Sequence, residues 1–276
     1  MFDGPTAAWH ASLALRVRSV GGRSLLAARH RGPLRVQKAL YPEGAAPCHA
    51  VVLHPPGGIA GGDALEISVS VDAGAHALVT TPGAAKWYKS LGPVARQQVR
   101  LDLDGALEWL PQEAIVFDAA NVRSTIDVQM NDGASMIGWD IVALGRRAAG
   151  ERFERGLYAQ TIRLRMGTEL AWMERTRLAG NDALLESPVG LAGHHVFGCL
   201  WAAGPAFDDA TMEGLRAALA EKVPAAPLTR LTPRLVVARA LGPNTHFVRA
   251  ALTEVWAALR PLVFGRAAVP PRLWAT

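Results

Sequence analysis

Between residues 65 and 175 the chain repeats one pattern. An arm with apolar residues at every second position meets a glycine-bearing turn, and a second, more uniformly apolar arm follows. Leu65, Ile67, Val69 and Val71 alternate with polar residues, Asp72-Ala73-Gly74 turns, and residues 75–81 run on extended. Val99, Leu101 and Leu103 lead through Asp104-Gly105 to Ala106-Leu107-Glu108-Trp109. Ile126, Val128 and Met130 lead through Asn131-Asp132-Gly133 to an apolar run ending at Trp139. Ile162, Leu164 and Met166 lead through Gly167 to Leu170-Ala171-Trp172, and an earlier copy runs from Leu13 through Gly21-Gly22 to Leu25-Leu26. Period-two alternation is the mark of a half-buried strand, and Asp-Gly supplies the positive φ of a tight hairpin. Each unit therefore predicts a β-hairpin with one wet arm and one arm lying between layers. The turn glycines recur about every 30 residues, within the range of stacked repeats. An ordinary antiparallel sandwich is the other architecture consistent with the pattern.

Residues 53–88, LHPPGGIAGGDALEISVSVDAGAHALVTTPGAAKWYKS, carry the densest local signal. A phosphate-binding glycine loop opens a helix and, in the Walker form, ends in Gly-Lys-Ser/Thr. Here Gly61-Gly62-Asp63 opens the alternating strand from Leu65, so these glycines predict a shaped turn and not a nucleotide cradle.

HPPGGIAGGD, TTPGAAKWYKS and LEWLPQE, in that order and spacing, closely resemble the urease accessory protein family UreD, also called UreH. The likeness covers most of the chain, is strongest from Leu53 to Glu113 and is weakest after about Gly180. It implies a mainly β, two-layered β-helical stack of hairpins with a few C-terminal helices, in one domain over residues 1–276. The repeated body would span 1–180, with a mixed strand and helix part, 181–276, packed on it. It implies a non-enzymatic maturation factor that works with UreF and the GTPase UreG on apo-urease, with GTP hydrolysis left to the partner. Nickel would be transferred and not held, and the complex could be dimeric. The motif residues His54, Pro55, Pro56, Gly57, Gly58, Gly61, Gly62, Lys86 and Tyr88 would then shape an entrance or a partner surface.

Composition narrows the class independently. The chain has 276 residues, half of them hydrophobic, enough for a sizeable core. No apolar run approaches the roughly 18 residues of a membrane span. The N-terminus lacks the basic and apolar regions of a secretory signal, and Cys48 and Cys199 form no CxxC pair. A cytoplasmic protein is expected. The formal charge of +5 raises nucleic acid as a partner. Yet Arg16, Arg18, Arg100, Arg163 and Arg165 are scattered along strands, which predicts outer sheet faces and favours an acidic protein partner.

Seven positions after each turn glycine stands a residue that can offer oxygen: Thr81, Gln112, Asp140 and Glu174. A carboxylate in an apolar strand requires an ion pair, hydrogen bonds or a cation. In a stack these four would form a ladder lining a path for a divalent ion, with Asp63 and Glu66 near one entrance. The competing expectation is that Asp140 and Glu174 pair with Arg146, Arg175 or Arg177. A family in which nickel is thought to pass through an internal tunnel favours the path. His194, His195 and Cys199 form the one compact set of soft ligands, in HHVFGC. Adjacent histidines on a strand face opposite ways, so one at most would join Cys199.

A GxSxG elbow is missing. Acidic pairs leave a β-solenoid carbohydrate-active enzyme as the alternative function. The Lys86-Trp87-Tyr88-Lys89 cluster could stack on single-stranded nucleic acid, although a loop packing its aromatics beside lysine is the favoured reading. Towards the C-terminus, Thr211 to Lys222 reads as a helix with Met212, Leu215 and Leu219 on one face, capped by Thr211 or Asp209. Arg234 to Arg239 reads as a strand. Asn244 or Thr245 would cap a longer helix that Pro261 disrupts. The tail VPPRLWAT is too short to fold alone.

Overall fold

The structure is a computed structural model, and it describes residues 8–90, 92–223 and 225–275. The chain is mainly β and builds two mixed sheets. In chain order the strands are β1 (His10–Val20), β2 (Arg23–Arg31), β3 (Arg35–Val36), β4 (Cys48–Leu53), β5 (Ala64–Val71) and β6 (His76–Thr80). There follow β7 (Ala85–Trp87), β8 (Ala95–Leu103), β9 (Ala106–Trp109), β10 (Ala114–Val116), β11 (Asn121–Met130) and β12 (Ser135–Leu144). The last five are β13 (Leu157–Met166), β14 (Glu169–Ala179), β15 (Val196–Ala203), β16 (Leu228–Thr232) and β17 (Leu235–Gly242). Two α-helices are described, α1 (Asp209–Lys222) and α2 (Thr245–Phe264).

The first sheet has the order β14-β13-β11-β8-β5-β1-β2, and the second β16-β17-β15-β12-β9-β6-β4-β3. The predicted arms exist, but the three central units are not hairpins. Here β5 pairs with β1 and β8, both parallel, whereas the β6 that follows it pairs in parallel with β4 and β9. In the same way β8 leads to β9 and β11 to β12, each pair split between the two sheets. The glycine turns at 74, 105 and 133 are therefore corners between layers. The cause lies in the burial pattern. A return arm that is apolar on both faces cannot sit beside its half-wet partner without exposing one side. It crosses to the second sheet, where the first sheet covers one face and the helices the other. True hairpins remain at both ends of the first sheet, where β1 pairs β2 and β13 pairs β14 in antiparallel fashion.

Alternation places Leu13, Leu15, Leu65, Val69, Val99, Leu101, Ile126 and Ile162 between the sheets. The other face of the second sheet carries Leu78, Ile137, Trp139, Ile141 and Leu200 against the α2 residues Val248, Leu252, Val255, Trp256 and Leu259. Strands β15, β17 and β16 extend the second sheet. Helix α1 is capped by Asp208, which accepts from the Thr211 backbone N–H at 2.7 Å. Asn244 does the same for α2 through Phe247 N–H. Pro261 does not disrupt α2, which runs on to Phe264 and ends at Gly265 in the left-handed region. The proline forfeits the one N–H bond it would have made to the Ala257 carbonyl, and only three residues follow it in the helix. The tail docks: the Trp274 indole donates to Thr80 Oγ1 at 3.1 Å and packs against Trp139 and Trp256. No described helix is long and apolar enough to cross a membrane.

Gly74, Gly133 and Gly167 have positive φ, as their turns require, but Gly105 does not. Gly105 serves close approach instead, since a Cβ there would overlap the carbonyl oxygens of Asp72 and Ala75 in the preceding corner. Gly105→Ala is expected to destabilise by about 1–3 kcal/mol through that overlap. Gly133→Ala, with open space around it but φ of 83°, should lose about 1 kcal/mol. Urea denaturation of the two variants should show the larger midpoint loss for Gly105→Ala.

Candidate functional site

The second sheet has a gap in two neighbouring strands. Register pairs Val79 with Trp109 and Trp109 with Gly138 on one side of it. On the other side Ala85 pairs with Ala114 and Ala114 with Val142. Between these two rungs β12 passes three residues (139–141), the β9–β10 segment four (110–113) and the β6–β7 segment five (80–84). Each strand outward from β12 thus carries one more surplus residue, and the surplus bulges out of the ladder. Pro82-Gly83 and Pro111 stand in these segments; proline cannot donate to a ladder, so pairing stops there.

A cavity of about 350 Å³ lies behind the gap, between the sheets. Exposed Pro82, Gly83 and Lys86 stand at its mouth with Thr81 and Gln112. Gln97, Ser124 and Gln160 supply polar groups from the first sheet and Asp140 faces them from the second, among Leu65, Ile67, Val79 and Ile126. Gln97, Ser124 and Gln160 occupy one row of the register across β8, β11 and β13. Asp140 lies deep in the protein yet keeps accessible surface, because it opens onto this cavity. Its carboxylate accepts one hydrogen bond, from Gln160 Nε2 at 3.0 Å, and no cation pairs with it among the described residues. Burial pushes the Asp140 carboxyl above its ordinary range, and the Gln160 bond opposes this only in part. Burial, and then the Asp140 charge, likewise push the neighbouring Tyr158 hydroxyl well up.

The predicted ladder residues do not share one fate. Thr81, Gln112 and Asp140 line this cavity. Thr81 Oγ1 accepts from the Gln112 backbone N–H at 2.9 Å, and the Gln112 side chain accepts from Arg249 on α2. Glu174 does not line it. Its turn, Gly167, is a true hairpin, so its strand stays in the first sheet. There it is clamped by Arg239, Nη2 to Oε2 at 2.6 Å, and not by Arg175 or Arg177. Arg146 pairs with Glu151. Asp63 holds the glycine turn, accepting from Trp9 N–H and Ala60 N–H, both at 2.9 Å. Glu66 points from the outer face of β5, away from the cavity.

The motif loop forms part of the wall. His54, Gly57, Gly58 and Lys86 line the cavity. Pro55 and Pro56 are exposed. Gly58 lies under the Tyr88 ring and Gly61 against Ser90, so neither has room for a Cβ. Gly57 and Gly62 have positive φ. Ile59 exchanges backbone hydrogen bonds with Lys86 and Tyr88, fixing the loop to the 85–88 segment. Trp87 is buried and Tyr88 packs edge-on against Phe117, so the aromatics serve packing and not base stacking. Burial depresses the His54 imidazole, with the Asp63 charge acting against it, which favours the neutral ring.

HHVFGC does not form a ligand cluster. Among the described residues no three of His, Cys, Asp and Glu are placed to hold a metal ion. His194 and His195 line a separate depression with Arg147 and Arg152. Cys199 pairs in register with Asp140 inside the fold, and burial pushes its thiol far up, which disfavours the thiolate.

The most heavily buried acid escapes the seven-residue spacing. Glu108 is 0% exposed, as is Arg260 of α2. The Glu108 carboxylate accepts from Arg260 Nε at 3.0 Å, Trp256 Nε1 at 2.7 Å and His76 Nε2 at 3.0 Å. Arg260 also binds Glu43 at 2.8 Å, and Glu43 accepts from His49 Nε2 at 3.0 Å. Burial alone would push the Glu108 carboxyl up, but the bonds from His76 and Arg260 outweigh it and hold the group low. The sequence signal was present: an acid between Leu107 and Trp109, and an arginine in the apolar face of a helix.

Residues 10–275 match the family model described as UreD urease accessory protein. The chain belongs to the UreD family. A urease accessory protein UreD of Ralstonia nicotianae is 48% identical, with 98% of this chain and 95% of the relative covered. The proteins of that name from Cupriavidus pinatubonensis and Pseudomonas fluorescens are each 47% identical, over 98% of this chain and 95% and 96% of their own lengths. The segments LEWLPQE and TTPGAAKWYKS of this chain thus supply both the buried Glu108 and the two interrupted strands.

Two expectations follow. Removing the Glu108 charge leaves Arg260 with one carboxylate, so Glu108→Gln should lose about 3–5 kcal/mol at pH 7 in urea denaturation. Because Glu108 is held low, its contribution is complete above the unfolded carboxylate range, about pH 4.3. It is lost as pH falls through the folded value, so the variant should lose less stability than wild type on acidification. Asp140 has the opposite sign: its carboxyl is raised, so stability is lost as pH rises through the folded value. Asp140→Asn cannot ionise and should melt above wild type at pH 8, with the gap shrinking towards pH 4 in thermal denaturation.

Proposed function

We propose that this protein is a cytoplasmic urease maturation factor whose cavity passes nickel inward, past Asp140, on its way to apo-urease. The observation that carries this reading is a single carboxylate, without a cationic partner among the described residues, in the wall of a cavity that reaches the surface through interrupted strands. The donor set suits cargo better than a resident ion. Carboxylate, amide and hydroxyl oxygens from Asp140, Gln160, Gln97 and Ser124, with the neutral imidazole of His54 nearer the mouth, offer weak and separated ligands. Such sites let a borderline cation enter and also leave, whereas clustered thiolates would hold it. In the same reading the coils form the two-layered β-helical stack typical of the family, and one domain spans the whole chain. UreF and the GTPase UreG are the partners, and GTP hydrolysis belongs to UreG. The support for these partners is family membership, together with a glycine loop that opens a strand and not a helix.

Reconstitution tests the path. Apo-urease is incubated with this chain, UreF, UreG, GTP and nickel, and urease activity is read alongside co-purification of the complex. Asp140→Ala is expected to lower activation about tenfold, the scale on which lost metal-site groups act, with the complex intact. Glu174→Ala, which breaks the Arg239 pair outside the cavity, should change activation far less. Normal activation by Asp140→Ala would remove the path while leaving the family assignment in place.

A further inference from the structure

The outer face of the first sheet is a second feature, unrelated to the cavity. Its outward positions carry arginine in every strand but β5: Arg29 and Arg31 on β2, Arg100 on β8, Arg123 on β11, Arg165 on β13 and Arg175 on β14, with more on β1. Asp72 and Asp127 on this side are already neutralised by Arg16 and Arg163. Register sets Ser12 opposite Arg31 and Ala14 opposite Arg29, with Ser68 and then Arg100 continuing the Ala14 row. Small residues on β1 and β5 thus floor a trough of about 320 Å³, with Arg29 and Arg31 on one bank and Arg100 on the other. It runs on into a second depression that shares Ser12, Arg31 and Glu66. Arg29, Arg31 and Arg100 are exposed and have no hydrogen-bond or ion-pair partner among the described residues. Glu66 is the carboxylate that lines the trough with them, so the trough keeps a positive excess.

We propose that this face is a docking surface for an acidic protein segment, whose carboxylates seat in the trough against Arg29, Arg31 and Arg100. Guanidinium is the group that meets carboxylate in a planar fork. Seven strands spaced about 4.8 Å apart and about nine residues long give a face of roughly 900 Å², close to the ~800 Å² each partner contributes to a standard interface. Nucleic acid fits less well. No Trp, Tyr or Phe stands at an outward position of this sheet among the described residues, so bases find no stacking platform. A face some 30 Å wide cannot enter a major groove about 12 Å across. The proposal stands apart from the nickel path, since none of these arginines lines the cavity.

The test uses the full chain and a fluorescein-labelled decaglutamate peptide, followed by fluorescence anisotropy at low salt. The peptide is expected to bind wild type, with affinity falling as salt rises. R29Q/R31Q/R100Q should bind about tenfold more weakly, and the single R100Q should lose part of that. K38Q/K222Q/R272Q, which removes as much exposed charge elsewhere, should bind like wild type. An oligothymidylate of ten phosphates should bind more weakly than the peptide. Absence of peptide binding, equal losses in the two triple variants, or tighter binding of the oligonucleotide would each overturn the proposal. Thermal melting checks that the triple variant is folded; if it is not, R100Q against K222Q decides.

Discussion

The pairing of Glu108 with Arg260 organises the molecule around it. A carboxylate wholly removed from water is tolerable only when every lone pair is met, and here guanidinium, indole and imidazole all converge on it. Those donors come from α2 and β6, and Arg260 reaches on to Glu43 in the segment before β4. One buried charge therefore reinforces the azimuth that the apolar stripe of α2 already gives the helix. That azimuth matters at the cavity. With α2 so oriented, Arg249 reaches Gln112 and Glu113 in the interrupted β9–β10 segment. The β9–β10 segment is thereby tied to a helix on the far side of the sheet.

The cavity itself is a consequence of counting. A ladder whose neighbouring strands spend three, four and five residues between the same two rungs cannot stay flat. The extra residues leave the sheet, and a cavity opens behind them. Asp140 sits on the one strand of the three that does not bulge, so its carboxylate has a fixed origin while the neighbouring strands of its own sheet are irregular. In the proposed ion path, oxygen donors spread around one fixed acid would favour passage of a borderline cation over its capture.

Much of the architecture was legible. Period-two arms, the positions of the glycine turns, both helices and the outward arginines are all read from residues 10–264 as they stand. The hairpin assignment failed because Asp-Gly turns look alike whether the next arm pairs with its predecessor or crosses to another layer. What separates the cases is the second face of the return arm, wet in β14 at Met173 and Arg175 but dry in β6 and β12. The same distinction explains the ladder. Counting seven from each glycine presumes identical units, yet Gly167 opens a hairpin, which moves Glu174 to another sheet. Glu108 was missed for the converse reason: it faces the helix layer, and no spacing within the strands reports on a partner 152 residues away. The prolines of TTPGAA and LPQE were the visible trace of the cavity, as ladder breakers inside otherwise apolar arms.

The docked tail has a consequence for how the polypeptide is made. Trp274 closes on Thr80, and Arg260 on Glu43, across 194 and 217 residues of chain. A ribosome releases the strands of the second sheet up to β12 long before it releases the helix that covers their apolar back. Until α2 emerges, the broad greasy underside of the second sheet stays bare, and slow, sequence-distant closure of this kind exposes a nascent chain to clumping. Substitutions on the apolar stripe of α2, or of Trp274 beside it, would therefore act first on yield in the cell, before any effect on the finished protein.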